Sequence, residues 1–243
     1  MLTALPLIAG AAALSAAGSA SIYYATYAVR SQWLGPTSWR GRSDTGAVAL
    51  TFDDGPSMDT QRFLTVLEKY GVQSTFFMMG QQIERFPEAA RRVAARGHEI
   101  GNHSYSHPIY LYCSAREIRR QLEHAQHIIR DVTGVTARFA RPPCGVRTPA
   151  YFRAAKSLGL RTVQWDVAGF DWKRRSAERI AEAVLREARP GSIILLHDGD
   201  SEGKQDRRET VAALPLIIDG LRARGLRVAP LSQLLEEEVQ LAA

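Results

Sequence analysis

The chain has 243 residues, 45% of them hydrophobic, which is enough to bury one substantial core as a single domain. Its 31 Lys and Arg residues exceed its 25 Asp and Glu residues, but the surplus is spread over helix faces such as "EAARRVAARG" and "SAREIRRQLEH". That scatter excludes a nucleic-acid groove and permits attraction to anionic polymers or lipid head groups. Two cysteines, Cys113 and Cys144, are too few for a disulfide framework and lack the paired spacing of a structural zinc site.

The first 29 residues carry no charged side chain, and "ALPLIAGAAALSAAGSASIYYATYAV" is long enough to cross a bilayer as a helix. Without a basic start it reads as an uncleaved membrane anchor ahead of an export signal, although the small residues around Ala17–Ala20 suit cleavage. Arg30, Arg40 and Arg42 follow the segment, and the positive-inside rule would hold that side in the cytoplasm. Orientation is therefore open. Residues 30–45, with "LGPTSWRGRSDTG", read as a linker, residues 46–235 as the catalytic domain and residues 236–243 as a tail.

From there the chain alternates short β-like runs with longer amphipathic stretches. "AVALTF" comes first, followed by "STFFMMG", "HEIGN", "ARFAR", "RTVQWDV", "SIILLH" and "LRVAP". Helices are expected near Thr60, Pro87, Ser114, Pro149, Ser176 and Arg207, with a last one after Pro230. In the third of these, Ser114 and Glu117 fit a capping box, Ile118, Leu122, Ala125 and Ile129 form one apolar stripe, and Gly134 suits the C-terminal turn. Continuously apolar strands alternating with helices predict a parallel sheet covered by helices. Seven units suggest a complete or incomplete barrel, preceded by the N-terminal hydrophobic helix.

In such a barrel, functional groups gather at the C-terminal ends of strands. Asp53 and Asp54 end the first run, His103 and His107 follow "HEIGN", and Arg141 ends "ARFAR". Asp166 and Asp171 lie in or after "RTVQWDV", while His197 and Asp198 end "SIILL". Two histidines four apart and one aspartate make a three-ligand metal site with a position left for water, as in catalytic zinc centres. Adjacent strand residues face opposite ways, so Asp53 and Asp54 should divide their work: one binds metal, the other takes a proton from water. His197 is the expected acid for the leaving group. His98, His124 and His127 lack such a setting, and the last two read as surface residues.

With these residues assembled, the sequence resembles the polysaccharide deacetylases of carbohydrate esterase family four, over about residues 45–232. "TFDDGP", "HSYSH", "RPPCG" and "LLHDG" match four family motifs in family order. The resemblance implies a distorted (β/α) barrel, usually of seven strands. It also implies that Asp53 is the general base, that Asp54, His103 and His107 hold a divalent metal, usually zinc, and that Arg141 orients the base. His197 would protonate the departing group, and the backbone N–H of Cys144 would stabilise the developing oxyanion. Pro143, Cys144, Gly145, Trp172 and Leu195 would line the substrate pocket. Trp172 would either stack on a sugar or plug the barrel mouth, with the plug favoured.

Two departures stand out. Cys144 replaces a common tyrosine, and in "WDVAGFDW" Ala168 stands where many relatives carry an aspartate that adjusts the acid histidine. Either Asp171 or Asp166 would supply that carboxylate. The function so implied is metal-dependent removal of N-acetyl or O-acetyl groups from a glycan rich in N-acetylglucosamine, with the membrane as a further partner through the N-terminus. The alternatives are deacylation of a lipid-linked sugar and a catalytically silent carbohydrate-binding protein. The expected location is membrane-anchored or exported, with the domain outside the cytoplasm.

Overall fold

The computed structural model describes residues 18–235; residues 1–17 of the expected anchor and the expected tail lie outside them. Among the described residues, no helix is long and apolar enough to cross a membrane. A helical stretch over residues 18–27 comes first.

The domain then runs through β1 (Ala47–Asp53), α1 (Thr60–Lys69), β2 (Thr75–Met78), α2 (Gly80–Arg85), α3 (Pro87–Ala95) and β3 (Glu99–Asn102). It continues with α4 (Ala115–Thr133), β4 (Phe139–Ala140), α5 (Pro149–Ser157), β5 (Arg161–Thr162) and β6 (Val167–Ala168). α6 (Ala177–Glu187), β7 (Ile193–His197), α7 (Arg208–Ala223), β8 (Arg227–Val228) and α8 (Leu231–Leu235) complete it.

All named strands pair in parallel, in the order β5-β4-β3-β2-β1-β7-β6, with β8 against the start of β1. The fold is thus a distorted (β/α) barrel. Each of the seven apolar runs carries a strand, and "RTVQWDV" carries two. β5 and β6 end opposite sides of the sheet order, leaving a seam. The stretch expected to be a linker fills that seam, since Ser38 bridges Val163 and Arg40 bridges Ser192. Residues 38–41 are therefore part of the sheet's hydrogen bonding, which the absence of an apolar run there conceals.

Side-chain alternation explains the two apolar layers. Val48, Leu50 and Phe52 of β1 point outward into the layer packed by Phe63, Leu64, Leu122 and Ile217 from the helices. Ala47 and Ala49 point into the barrel, where Phe77, Phe139, Val163 and Ile193 meet Leu231, Leu234 and Leu235 of α8. The small inward residues of β1 leave room for this plug. Continuing the same inward row upward gives Thr51 and then Asp53.

α4 forms as its caps dictate. The Ser114 hydroxyl accepts the Glu117 N–H, and Gly134 closes the helix at φ 73°.

Candidate active site

Asp53 is the last residue of β1 and buried, with Thr51 two residues below it on the same strand face. Asp54 follows with φ 68°, so the chain turns as the strand ends and the two carboxylates meet different partners, Arg141 for Asp53 and the histidine pair for Asp54. This turn is what separates the two neighbouring carboxylates. Gly55 comes next, and its missing side chain matters because a Cβ there would collide with the Asp198 carboxylate.

His103 follows β3 and is fully buried, its Nδ1 2.7 Å from the Arg141 carbonyl oxygen. That contact leaves Nε2 free to face Asp54 Oδ1 at 3.3 Å. His107 Nε2 reaches the same oxygen at 3.3 Å. The stretch between them is a loop, with Ser104 at φ 68° and His107 at φ 59°, so the imidazoles converge by loop curvature. The Ser104 hydroxyl accepts the His107 N–H and the Asn102 side chain accepts the Ser104 N–H, which fixes that curvature.

Does this triad fit a metal ion? Asp54, His103 and His107 each offer a ligand atom, all within 4.8 Å of one another. Asp54 Oδ1 is buried and has no hydrogen-bond partner. A desolvated carboxylate oxygen without a donor is costly, and a cation at the meeting point of the three ligands would satisfy it. The donor set of two imidazoles and one carboxylate suits zinc. Burial pushes the Asp54 carboxyl up, but His103, His197 and His107 together hold it well below its ordinary value. Burial and the His103 charge push His107 down, which favours the neutral, ligating form.

Arg141, wholly buried just past β4, joins the strands. Its guanidinium donates to Asp53 Oδ1 at 2.7 Å, to the Thr51 hydroxyl at 2.8 Å and to the Gln164 carbonyl at 3.1 Å. It also lies 4.1 Å from the centre of the Phe77 ring. Asp53 Oδ2 is left facing the metal ligands, 3.8 Å from His103 Nε2.

His197 ends β7 across β1 from His103 in the sheet order. Its Nδ1 is 2.9 Å from Asp171 Oδ1, and its N–H donates to Asp171 Oδ2 at 2.8 Å. Burial opposes the charged imidazole, but Asp171 overrides it and His197 is pushed up to about 9. The Thr210 hydroxyl of α7 donates to Asp171 Oδ2 at 3.1 Å and completes that carboxylate.

Asp166 is a different matter. It accepts the Ile193 N–H at 2.8 Å and the Ser192 hydroxyl at 3.0 Å, and it contacts neither His197 nor Asp53. The expectation that it serves the site is corrected: "RTVQWDV" is two strands, so Asp166 precedes β6 while Asp171 follows it.

The pocket residues sort as follows. Pro143, Cys144 and Gly145 form a tight turn in which Cys144 adopts φ 54° and its thiol is exposed. The turn's backbone bonds run from Gly145 to Pro142 and from Val146 to Pro143, and the Cys144 N–H takes no part in them. Burial and the two aspartates push the Cys144 thiol up, which disfavours thiolate. Leu195 is buried two residues below His197 on the same face of β7. Trp172 is 37% exposed with its ring edge-on to His197 at 5.3 Å, so it is a wall beside the acid rather than a buried plug.

Three further residues support these groups, Thr51 and Asp198 from within the motifs "TFDDGP" and "LLHDG" and Thr210 from outside them. Thr51 was findable, since it precedes Asp53 by one strand period. Thr210 was not, being 39 positions from Asp171 with nothing to pair them. Asp198 accepts the Thr60 hydroxyl at 2.6 Å, its N–H donates to the Asp53 carbonyl at 3.2 Å, and burial pushes its carboxyl up to about 7. It sits beneath the Asp54–Gly55 turn.

Known proteins bear on this geometry directly. Residues 40–163 match the family model for polysaccharide deacetylase. A chitooligosaccharide deacetylase of Sinorhizobium fredii is 40% identical over 202 residues, covering 79% of this chain and 94% of that protein. The solved Bc1960 peptidoglycan N-acetylglucosamine deacetylase is 35% identical with a TM-score of 0.79, covering 82% of this chain and 92% of that one. A pseudoenzyme of carbohydrate esterase family four from Bacillus anthracis is also similar, 30% identical with a TM-score of 0.76 over 83% of this chain and 69% of that one. On the family match, these identities and the shared barrel together, the chain belongs to the polysaccharide deacetylases of carbohydrate esterase family four.

Proposed function

We propose that the chain hydrolyses the N-acetyl group of N-acetylglucosamine units in a glycan, using a divalent ion, zinc, held by Asp54, His103 and His107. The observation that carries this reading is Asp54 Oδ1, buried and unpartnered at 3.3 Å from both histidine Nε2 atoms. Membership alone would not suffice, because the similar fold of the Bacillus anthracis protein belongs to a pseudoenzyme. The full complement of reacting groups in this chain favours an enzyme over a silent binder.

Asp54, His103 and His107 would hold the ion, which would supply Lewis acidity toward the acetyl carbonyl and the attacking water. Asp53, fixed by Arg141, takes the proton from the attacking water. Negative charge then grows on the carbonyl oxygen, and the Cys144 N–H is the backbone donor at hand. His197, raised to about 9, carries a proton at neutral pH and delivers it to the departing amine nitrogen. The products are acetate and the free amine. Leu195, below His197, offers an apolar wall for the acetyl methyl, and Trp172 offers a partly exposed face for the sugar. On this reading the domain faces outside the cytoplasm, where such polymers lie, and protease accessibility in intact cells checks that placement.

The deciding experiment measures acetate release from N-acetylglucosamine oligomers and from peptidoglycan, with zinc, with chelator, and for Asp53→Asn. Release that zinc restores after chelation and that Asp53→Asn abolishes is the expected result. Inactivity on every acetylated glycan, or activity that survives chelation, would overturn it; release from an acetate ester or a lipid-linked sugar alone would move the substrate class.

A further inference from the structure

Between β6 and α6, beside the acid, the chain reads "FDWKRRS", with three consecutive cations at Lys173, Arg174 and Arg175. Lys173 and Arg174 are exposed and Arg175 is half-buried, and none of the three has an ion-pair partner among the described residues. The carboxylates of the surrounding chain do not answer them. Asp171 is buried and bonded to His197 and Thr210, and Glu209 of α7 accepts the Ala177 N–H at 2.9 Å. Glu178, in the first turn of α6, forms no ion pair among the described residues.

A run of surface cations is ordinarily a solvated face. Here aromatic contacts tie the run to the reacting groups. Lys173 Nζ lies 5.3 Å from the centre of the Phe170 ring, and the Arg175 guanidinium carbon lies 5.1 Å from the same centre. The Phe170 ring meets Trp172 at 5.3 Å, and Trp172 meets His197 at 5.3 Å. One ring therefore gathers two like charges, and the next ring touches the acid. The backbone holds this arrangement at both ends, since Phe170 has φ 54° and Arg174 φ 51°, conformations that residues with a side chain keep only when their surroundings impose them. Two cations drawn to one ring repel each other, and an anion brought from outside would relieve both.

We propose that Lys173, Arg174 and Arg175 form an anion subsite that binds carboxylates carried by the glycan beside the acetylated sugar. This rests on the hydrolase reading above and narrows its substrate to an acidic glycan. Arginine suits the role because its planar fork pairs with a carboxylate through two parallel hydrogen bonds. A carboxylate fits better than a phosphate, because the natural phosphate cradle here, the start of α6, already has the Glu209 carboxylate seated on its first N–H. Trp172, exposed between the acid and the cations, gives the intervening sugar a face to lie against.

The test measures acetate release by the full chain from three substrates: peptidoglycan fragments with free carboxylates, the same fragments with those carboxylates converted to methylamides, and an N-acetylglucosamine oligomer of equal length. The free-carboxylate fragments should have the highest kcat/KM, chiefly through a lower KM, and their advantage should shrink as salt rises. In the triple variant Lys173→Gln, Arg174→Gln, Arg175→Gln, the ratio of kcat/KM for free over amidated fragments should fall by about tenfold. Arg174→Gly alone removes one cation where glycine is at ease and should lower that ratio by about twofold, which decides the matter should the triple variant fail to fold. A ratio near one in the parent at low salt, or a ratio that neither variant changes, would overturn the proposal. So would stronger competition by N-acetylglucosamine 6-phosphate than by the free-carboxylate fragment, which would make the site one for phosphate. If no glycan releases acetate from the parent, the hydrolase reading fails by itself. Calorimetric titration with free and amidated fragments then tests the subsite, and equal binding of the two would sink it.

Discussion

On either side of β1, two histidine and aspartate groups stand at the barrel mouth, and they are finished differently. Asp171 has its hydrogen bonds made: His197 Nδ1 and N–H, and the Thr210 hydroxyl, surround it. Asp54 lies between His103 and His107 with one buried oxygen unpartnered. A carboxylate with complete partners can only tune its neighbour, whereas one left desolvated and open calls for a cation. Identical residue types thus acquire the roles of acid support and metal ligand from what surrounds them.

The largest effects should come from the open side. Asp54→Asn should lose the metal and at least a thousandfold of activity, while Asp53→Asn should keep the metal and slow turnover by roughly 10²–10⁴-fold. Elemental analysis beside acetate release separates the two, and equal metal loss in both would erase the division of labour. Next comes Arg141→Met, which strands Asp53 in a buried site and should cost about 3–5 kcal/mol in a denaturant titration. Arg141→Lys should recover only part of that, because one ammonium cannot span Asp53, Thr51 and the Gln164 carbonyl together.

The closed side should respond more mildly, through pH. His197 is raised from 6.5 to about 9, burial opposing and Asp171 prevailing, so its protonated form is favoured in the fold. The stability this provides is complete below about 6.5 and is lost as pH rises through about 9. Asp171→Asn should therefore move the basic limb of the kcat profile down by roughly one unit or more and lower turnover near neutrality by about tenfold. An unmoved limb would mean that Asp171 only holds the backbone. Asp166→Asn should be the smallest change, costing about 1 kcal/mol of stability through the Ile193 and Ser192 bonds. Its kcat and pH profile should match the parent's; a shift in either would bring Asp166 back into the site.

Much of the site was legible because strand ends are legible. An apolar run that stops at Asp53, or at His197, announces a polar side chain at the barrel mouth. The four motifs in order then supply the cluster. What misled was the run "RTVQWDV". Seven residues of strand-like composition read as one element, although the chain crosses the sheet seam between Thr162 and Val167 and places Asp166 at a strand's beginning. The stretch over residues 30–45 misled in the opposite way. Its glycines, proline and serines read as a linker, yet Ser38 and Arg40 bridge strands through backbone atoms, which composition does not report.

By itself the sequence determined the alternation of strands and helices, the outward and inward rows of β1, and which residue types gather at the mouth. These follow from local periodicity and from the chemistry of single side chains. Only the tertiary structure decided which aspartate serves His197, that Thr210 and Arg141 join distant segments, and that Arg147 straps the N-terminal helix end to the barrel. Those contacts span from 22 to 119 positions along the chain, and a pairing at such separation exists only once the core has brought both partners to one place.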